Sequence, residues 1–185
     1  MEKFKNKYRI ASTRAQWWDY GAGGAYFITI CTENRKHYFG EIKSGKMLLS
    51  NLGIIADLLW HEMPKYNTGI KLGEYVVMPD HIHGILILPE KVIIKTKKEA
   101  TAPESLNDAL AEISNTKDLK MSSISPKPKT IPSIIRSYKS AVTKHANRLN
   151  LENGWQSRYY DQIIRSQSQF QNVTNYIKNN ASNWK

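Results

Sequence analysis

The chain has little cysteine and no long apolar run. Cys31 is its single cysteine, which excludes an internal disulfide framework and a zinc site built from cysteines. No apolar run of about 18 residues and no apolar N-terminal segment with a small-residue cleavage site occur, so we expect neither a membrane span nor a signal peptide. These features predict one domain over residues 1–185 in a reducing, cytoplasmic setting.

Acidic residues are few relative to basic ones. The sequence has 27 Lys and Arg against 16 Asp and Glu, a formal net charge of +11. Within residues 120–185, eleven residues are basic and two are acidic. Because such a surface attracts polyanions, the sequence predicts a nucleic acid as partner. Four cations of this region are candidate phosphate contacts: Arg136, Lys139, Lys144 and Arg165.

A second basic cluster lies in an N-terminal arm, residues 1–24, where cations alternate with aromatic side chains. Arg14, Trp17 and Trp18 are its candidate DNA-binding residues. Cations bind phosphates and flat rings stack on unpaired bases, a combination that suits single-stranded nucleic acid. A solvated tail whose rings pack on the domain is the alternative interpretation.

The spacing of apolar residues predicts alternating strands and helices. Strands are expected at 25–32, 71–78, 81–88 and 158–165, helices at 51–66, 131–149 and 168–180, and a short hairpin at 38–49. Residues 90–130 are rich in Lys, Ser, Thr, Glu and Pro, which predicts a flexible insertion. The order βαββαβ with an added C-terminal helix indicates an α+β, ferredoxin-like antiparallel sheet with helices.

Two histidines stand two residues apart at the start of the strand predicted for 81–88. Since strand side chains alternate, His81 and His83 must project from the same face, which suggests a shared cation. On the last predicted helix, Tyr176 and Asn180 are four residues apart and therefore lie on one flank. Each of the two alone is weak evidence, because a flanking Tyr usually packs and an Asn near a helix end usually caps.

Five stretches occur together in this chain: AYFITICTENR, VVMPDHIHGILIL, SIIRSYKSAVTKHAN, WQSRYYDQIIR and YIKNN. Their joint order closely resembles the single-tyrosine HUH transposases, especially the REP-associated tyrosine transposase branch. The resemblance covers about residues 10–180 except the predicted insertion. The order of the motifs is specific, whereas a His-x-His pair alone would not be.

The resemblance implies a role for each of the four site residues. His81 and His83 would bind a divalent metal, Mg²⁺ or Mn²⁺, Tyr176 would be the nucleophile, and Asn180 would complete the metal site. It also implies cutting and rejoining of hairpin-bearing single-stranded DNA through a 5′-phosphotyrosine, by a monomer or a homodimer. Gln162 stands where members often carry His, which implies altered surroundings of the metal or the DNA.

Two other functions stay open at this point. A ferredoxin-like sheet with aromatic residues can bind single-stranded nucleic acid without catalysis, and a metal-dependent nuclease can hydrolyse DNA with water. The binding module gives no reason for the pair of histidines and Tyr176 to occur together. The nuclease predicts cleavage that survives loss of Tyr176. Three other tyrosines compete for the nucleophile's role: Tyr138, Tyr159 and Tyr160.

Overall fold

The computed structural model describes residues 22–89 and 129–184. The chain order of elements in these ranges is β1 (Gly24–Cys31), β2 (Gly40–Lys43), β3 (Lys46–Leu49), α1 (Asn51–Tyr66), β4 (Lys71–Met78), β5 (His81–Leu88), α2 (Ile131–Arg148), β6 (Tyr160–Ile164) and α3 (Gln167–Lys178). Most of the arm and of the predicted insertion lie outside the described residues, as do Arg14, Trp17 and Trp18. Within 22–89 and 129–184, no helix is both long and apolar enough to cross a membrane.

The main sheet has four strands in the order β4-β5-β1-β6, and all neighbours are antiparallel. This order confirms the predicted ferredoxin-like topology, and it places β5, the strand that carries the histidines, inside the sheet. The predicted hairpin forms a separate pair, β2 and β3. Its turn residues Ser44 and Gly45 have φ angles of 51° and 73°, the left-handed pair that a two-residue hairpin turn requires.

Helices α1 and α2 cover one face of the sheet. The Ser50 hydroxyl accepts the Gly53 amide and so caps α1, and Pro132 fits the first turn of α2. The inner stripe of α2 consists of buried residues: Ile134, Ile135, Tyr138, Val142 and Ala146. Trp60 of α1 packs so closely on β5 that a Cβ at Gly84 would collide with its indole. This layer is the principal hydrophobic core.

Helix α3 lies on the opposite face. Its apolar stripe of Phe170, Val173 and Ile177 packs with Phe27 and Ile85 of the sheet. The helix was predicted to reach residue 180 but ends at Lys178, with Asn179 as its C-terminal cap. Consecutive asparagines have low helix propensity, which agrees with the earlier end.

Candidate active site

The two histidines lie side by side on the α3 face of β5, as their spacing predicts. In the strand register His83 pairs with Thr29 and His81 with Cys31 of β1, and directly paired residues share a face. The imidazole centroids are 4.4 Å apart. Both side chains are nearly buried, with 4% and 7% of His81 and His83 exposed.

Each imidazole is held through its Nδ1 atom. His81 Nδ1 lies 2.6 Å from Asp80 Oδ1, and the other carboxylate oxygen of Asp80 binds Arg35 Nε at 2.8 Å. His83 Nδ1 lies 2.9 Å from Thr29 Oγ1. Because a carboxylate only accepts, His81 donates from Nδ1 and keeps the lone pair of Nε2 for a ligand. A carboxylate behind a histidine is the usual support of a metal-binding imidazole.

Burial favours the neutral form of both histidines. It lowers the pKa of His83 to about 3, with smaller contributions from His81 and Arg35. Burial also lowers the pKa of His81, although Asp80 opposes this shift. Both imidazoles are therefore neutral near pH 7, the form that binds metals. A pKa of about 3 also makes His83 a poor general base.

Helix α3 brings Tyr176 to the histidines. Its hydroxyl oxygen lies 3.3 Å from His83 Nε2, and 52% of the residue is exposed. The Tyr176 ring meets Phe27 edge-on at 6.1 Å, while Phe27 stacks on His83 at 5.2 Å. Phe27 therefore supports both the tyrosine and one histidine.

A cleft of ≈ 410 Å³ collects these groups; among its lining residues are His81, His83, Tyr176, Asn180, Arg35 and Trp184. Asn180 follows α3 in a turn, and its backbone N–H donates to the carbonyl of Ile177 at 3.2 Å. The Trp184 ring lies 5.7 Å from that of His81. The four residues predicted for catalysis and metal binding thus come together in one place.

The cleft contains nitrogen and oxygen donor atoms of the kinds that divalent metals bind. In the part of the chain that the structure describes, no group of three His, Cys, Asp or Glu side chains is arranged to hold a metal ion. A metal here would therefore use the two Nε2 atoms and the Asn180 amide oxygen, with its other positions open to water and phosphate. Such a mixed nitrogen and oxygen set with open positions suits an ion that also binds a nucleic-acid phosphate.

The predicted phosphate contacts on α2 lie in a different layer from the cleft. Arg136 and Lys144 are exposed on the helix that covers the opposite face of the sheet. Lys139 Nζ donates to the carbonyls of Gln156 at 2.8 Å and Arg158 at 3.2 Å. Any DNA that meets both α2 and the cleft must therefore pass around an edge of the sheet. Their roles stay predictions.

Arg165 lies at the far end of the sheet. It follows β6, where Ile164 pairs with Ala25 at the start of β1, whereas the histidines lie opposite the end of β1. Its backbone amide donates to Gln169 Oε1 at 2.9 Å and joins β6 to α3. A DNA contact at Arg165 would therefore be remote from the cleft, and it stays a prediction.

The competing tyrosines are placed less well for chemistry at this site. Tyr138 is buried and donates to the Ala56 carbonyl at 2.7 Å, and Tyr159 packs against the principal core. Tyr160 is 57% exposed but stands on β6, beyond Phe27 at a ring distance of 6.4 Å. Of the tyrosines in ranges 22–89 and 129–184, Tyr176 alone lines the cleft.

The sequence did not predict the supporting residues Asp80, Arg35 and Thr29. The position of Asp80 directly before His81 was a usable signal, because carboxylates often orient metal-binding histidines. Arg35 reaches the site from the turn after β1, a contact that only the folded chain creates.

Comparisons with known proteins agree with this fold. No family model matches the chain. An uncharacterized protein of Haemophilus influenzae is 33% identical over 175 residues, 94% of this chain and 88% of that protein. The solved structure of a REP-associated tyrosine transposase bound to a REP hairpin has a TM-score of 0.56 at 18% identity, over 92% of this chain and 72% of that chain. The chain therefore has the fold that its motifs predicted, that of a REP-associated tyrosine transposase, and it belongs to one family with the Haemophilus influenzae protein.

Proposed function

We propose that the protein is a metal-dependent transposase or endonuclease that cuts and rejoins single-stranded DNA with Tyr176 as its nucleophile. The observation that carries this proposal is the distance of 3.3 Å between the Tyr176 hydroxyl oxygen and His83 Nε2. An exposed tyrosine beside two neutral histidines, in a cleft open to solvent, is an arrangement that a packing role does not require.

In the proposed reaction the Tyr176 oxygen attacks phosphorus and the bond from phosphorus to the 3′ oxygen breaks. The tyrosine gives up its proton, the departing 3′ oxygen takes one, and the products are a 5′-phosphotyrosine and a free 3′-OH. Because the phosphodiester energy is kept in the protein–DNA bond, a 3′-OH can attack it and restore the tyrosine without a nucleotide cofactor. Cutting and rejoining are thus the same step in two directions.

The residues of the cleft divide the work of that step. His81, His83 and Asn180 would hold Mg²⁺ or Mn²⁺, and the bound ion supplies Lewis-acid stabilisation of the phosphate. Asp80 orients His81 through its Nδ1 atom. Phe27 packs against both His83 and Tyr176, which fixes the nucleophile relative to the metal ligands. The low pKa of His83, about 3, favours its role as a ligand over that of a base.

The size of the cleft favours a single strand as substrate. A cleft of ≈ 410 Å³ beside Tyr176 can receive an unpaired nucleotide, whereas a paired base is held inside the duplex. The net charge of +11 supplies attraction for the phosphates. The REP-associated tyrosine transposase of like fold is bound to a REP hairpin, which supports hairpin DNA as the partner here. We expect a hairpin with a single-stranded flank to bind more tightly than its fully paired duplex.

Formation of a covalent complex tests the proposal. Incubation with hairpin-bearing single-stranded DNA and Mg²⁺ should give an adduct that survives denaturation, and Tyr176→Phe should bind DNA normally but give none. Tyr160→Phe is the matched control, since this exposed tyrosine also contacts Phe27 and should keep the adduct. Cleavage by Tyr176→Phe without adduct would point to water as nucleophile. Binding of the DNA by the parent protein without any cleavage would point to a non-catalytic module.

Asn180→Ala tests the third metal ligand. Loss of one amide oxygen should weaken metal binding, so cleavage at limiting Mg²⁺ should slow and added Mn²⁺ should partly restore it. Asn183→Ala is a control from the same turn that also lines the cleft, and it should cut at the parent rate. Equal Mg²⁺ requirements for Asn180→Ala and the parent would remove Asn180 from the metal site.

A further inference from the structure

Arg35 occupies a strained position at the mouth of the cleft. It follows β1 in a short 3-10 turn, Glu33–Arg35, and the φ angles of Asn34 and Arg35 are 52° and 56°. Asparagine tolerates this left-handed region, but arginine rarely adopts it. Backbone strain of this kind persists where surrounding contacts fix it, and it concentrates at functional sites.

The surrounding contacts hold the turn firmly. Thr32 is fully buried, and its hydroxyl lies 2.8 Å from the Lys36 carbonyl and 3.0 Å from the Asp80 carbonyl. The Thr32 amide also donates to the Asp80 carbonyl at 2.9 Å. The turn that carries Arg35 is thus joined to the turn that carries Asp80, so the guanidinium is placed before any substrate arrives.

The guanidinium is only partly engaged by the protein. Its Nε donates to Asp80 Oδ2 at 2.8 Å and its Nη1 to the Cys31 thiol at 2.9 Å. A thiol is a weak acceptor, and Nη2 has no partner among the residues of 22–89 and 129–184. Half of the side chain is exposed, and it lines the same cleft as Tyr176 and the histidines.

The geometry points to Arg35 as a phosphate-binding residue: its Nη atoms contact a non-bridging oxygen of the scissile phosphate while Asp80 holds Nε. A planar guanidinium fixed on one edge offers its remaining donors in the paired arrangement that phosphate oxygens accept. This contact would position the phosphate for Tyr176 and stabilise the charge that develops on it. The inference rests on the proposed function, because it assigns Arg35 to the same reaction.

Affinity measurements without metal isolate this contact. The probe is a hairpin oligonucleotide with a single-stranded flank, in which uncharged methylphosphonates replace the flank phosphates one linkage at a time. Binding is measured in EDTA for the parent, Arg35→Ala and Arg35→Lys. Arg35→Lys keeps a positive charge beside Asp80, so folding is retained. A single ammonium group cannot bind Asp80 and a phosphate at the same time, as the two edges of a guanidinium can. Thermal melting verifies that each variant is folded.

We expect one linkage at which a methylphosphonate weakens binding by the parent about tenfold or more, the size of a charge-assisted hydrogen-bond pair. Arg35→Ala should bind the unmodified DNA more weakly than the parent by the same factor. The methylphosphonate at that linkage should not weaken its binding any further. Arg148→Ala, a basic residue on the opposite layer, should lower affinity equally for every probe. With Mg²⁺ in place of EDTA, the linkage identified should be the one that the parent cuts.

If the affinity losses caused by Arg35→Ala and by the methylphosphonate were additive at every linkage, the inference would be overturned and Arg35 would be a general cation. Parent-like affinity of Arg35→Ala would leave it as a support for Asp80 alone. Either result is compatible with an adduct on Tyr176, so the proposed function would survive it. Conversely, coupling at one linkage without any adduct would keep the phosphate contact and remove the tyrosine mechanism.

Discussion

The two faces of the central sheet differ although the same strands build both. On the α1–α2 face, here called the covered face, Ile28, Ile30 and Ile82 are completely buried in the principal core. On the α3 face, here called the open face because it contains the cleft, the alternate positions of the same strands carry Thr29, His81 and His83. Since side chains alternate along a strand, each of these residues, to which we assign a function, stands directly beside a core residue that points the other way.

Under the proposed function, this contrast separates stability from function within single strands. The covered face holds β1 and β5 in place, and Gly84 lets the Trp60 indole approach the strand directly behind the histidines. The open face can then carry buried polar groups because their partners, Thr29 and Asp80, are fixed by the same framework. Rigid support of this kind is what a positioned catalytic group needs. Neighbouring substitutions on β5 should therefore have opposite consequences.

The largest effect is expected on the open face. His81→Ala and His83→Ala should abolish cleavage, because each removes one of three proposed metal ligands, while DNA affinity should remain near that of the parent since it comes mainly from Lys and Arg contacts. Gel assays of cleavage and binding at limiting Mg²⁺ measure the two properties. Parent-like cutting by either variant would contradict the metal assignment.

Substitution of the residue between the histidines should do the reverse. Ile82 is fully buried on the covered face, so Ile82→Ala should lower the free energy of unfolding by about 2–5 kcal/mol. At a temperature where the variant is folded, its Mg²⁺ requirement and adduct formation should match those of the parent. Denaturant unfolding followed by cleavage assays checks both. An intact stability with lost cleavage would show that the two faces are not separable.

Removal of the hydrogen bond between Asp80 and His81 should impair metal binding less than removal of either histidine. Asp80→Asn keeps the size of the side chain but removes the carboxylate that accepts from Nδ1, so half-maximal cleavage should need about 10- to 100-fold more Mg²⁺. The rate at saturating Mg²⁺ should change less. Glu152→Gln, which breaks an exposed ion pair with Lys36, is the control and should leave the Mg²⁺ dependence unchanged. An unshifted Mg²⁺ curve for Asp80→Asn would exclude the proposed support of His81.

The smallest effect concerns pH. The pKa of His83 is about 3 in the folded protein against 6.5 for a free side chain, so the unfolded chain binds the extra proton between these values. The free energy of unfolding, measured in EDTA, should therefore fall as the pH is lowered from 6.5 towards 3. His83→Asn should reduce that slope. Equal slopes in the parent and His83→Asn would contradict a neutral, buried His83.

Local patterns were sufficient to predict much of the site. The two-residue spacing of His81 and His83 fixed their common face, and the apolar stripe of α3 left Tyr176 on a flank. The features that the sequence did not predict depend on contacts between distant segments. The Arg35–Asp80 pair joins two turns that are 45 residues apart in the chain, and the layer occupied by α2 relative to the cleft follows from the sheet order. Periodicity within one segment contains neither kind of information.

The site of DNA attachment tests the central claim most directly. Trypsin should separate residues 159–165, which hold Tyr159 and Tyr160, from residues 166–178, which hold Tyr176 as their one tyrosine. After reaction with hairpin-bearing single-stranded DNA and Mg²⁺, mass spectrometry should find the nucleotide on the 166–178 peptide, attached to Tyr176. Attachment to the 159–165 peptide, or cleavage with no DNA-linked peptide, would contradict the account.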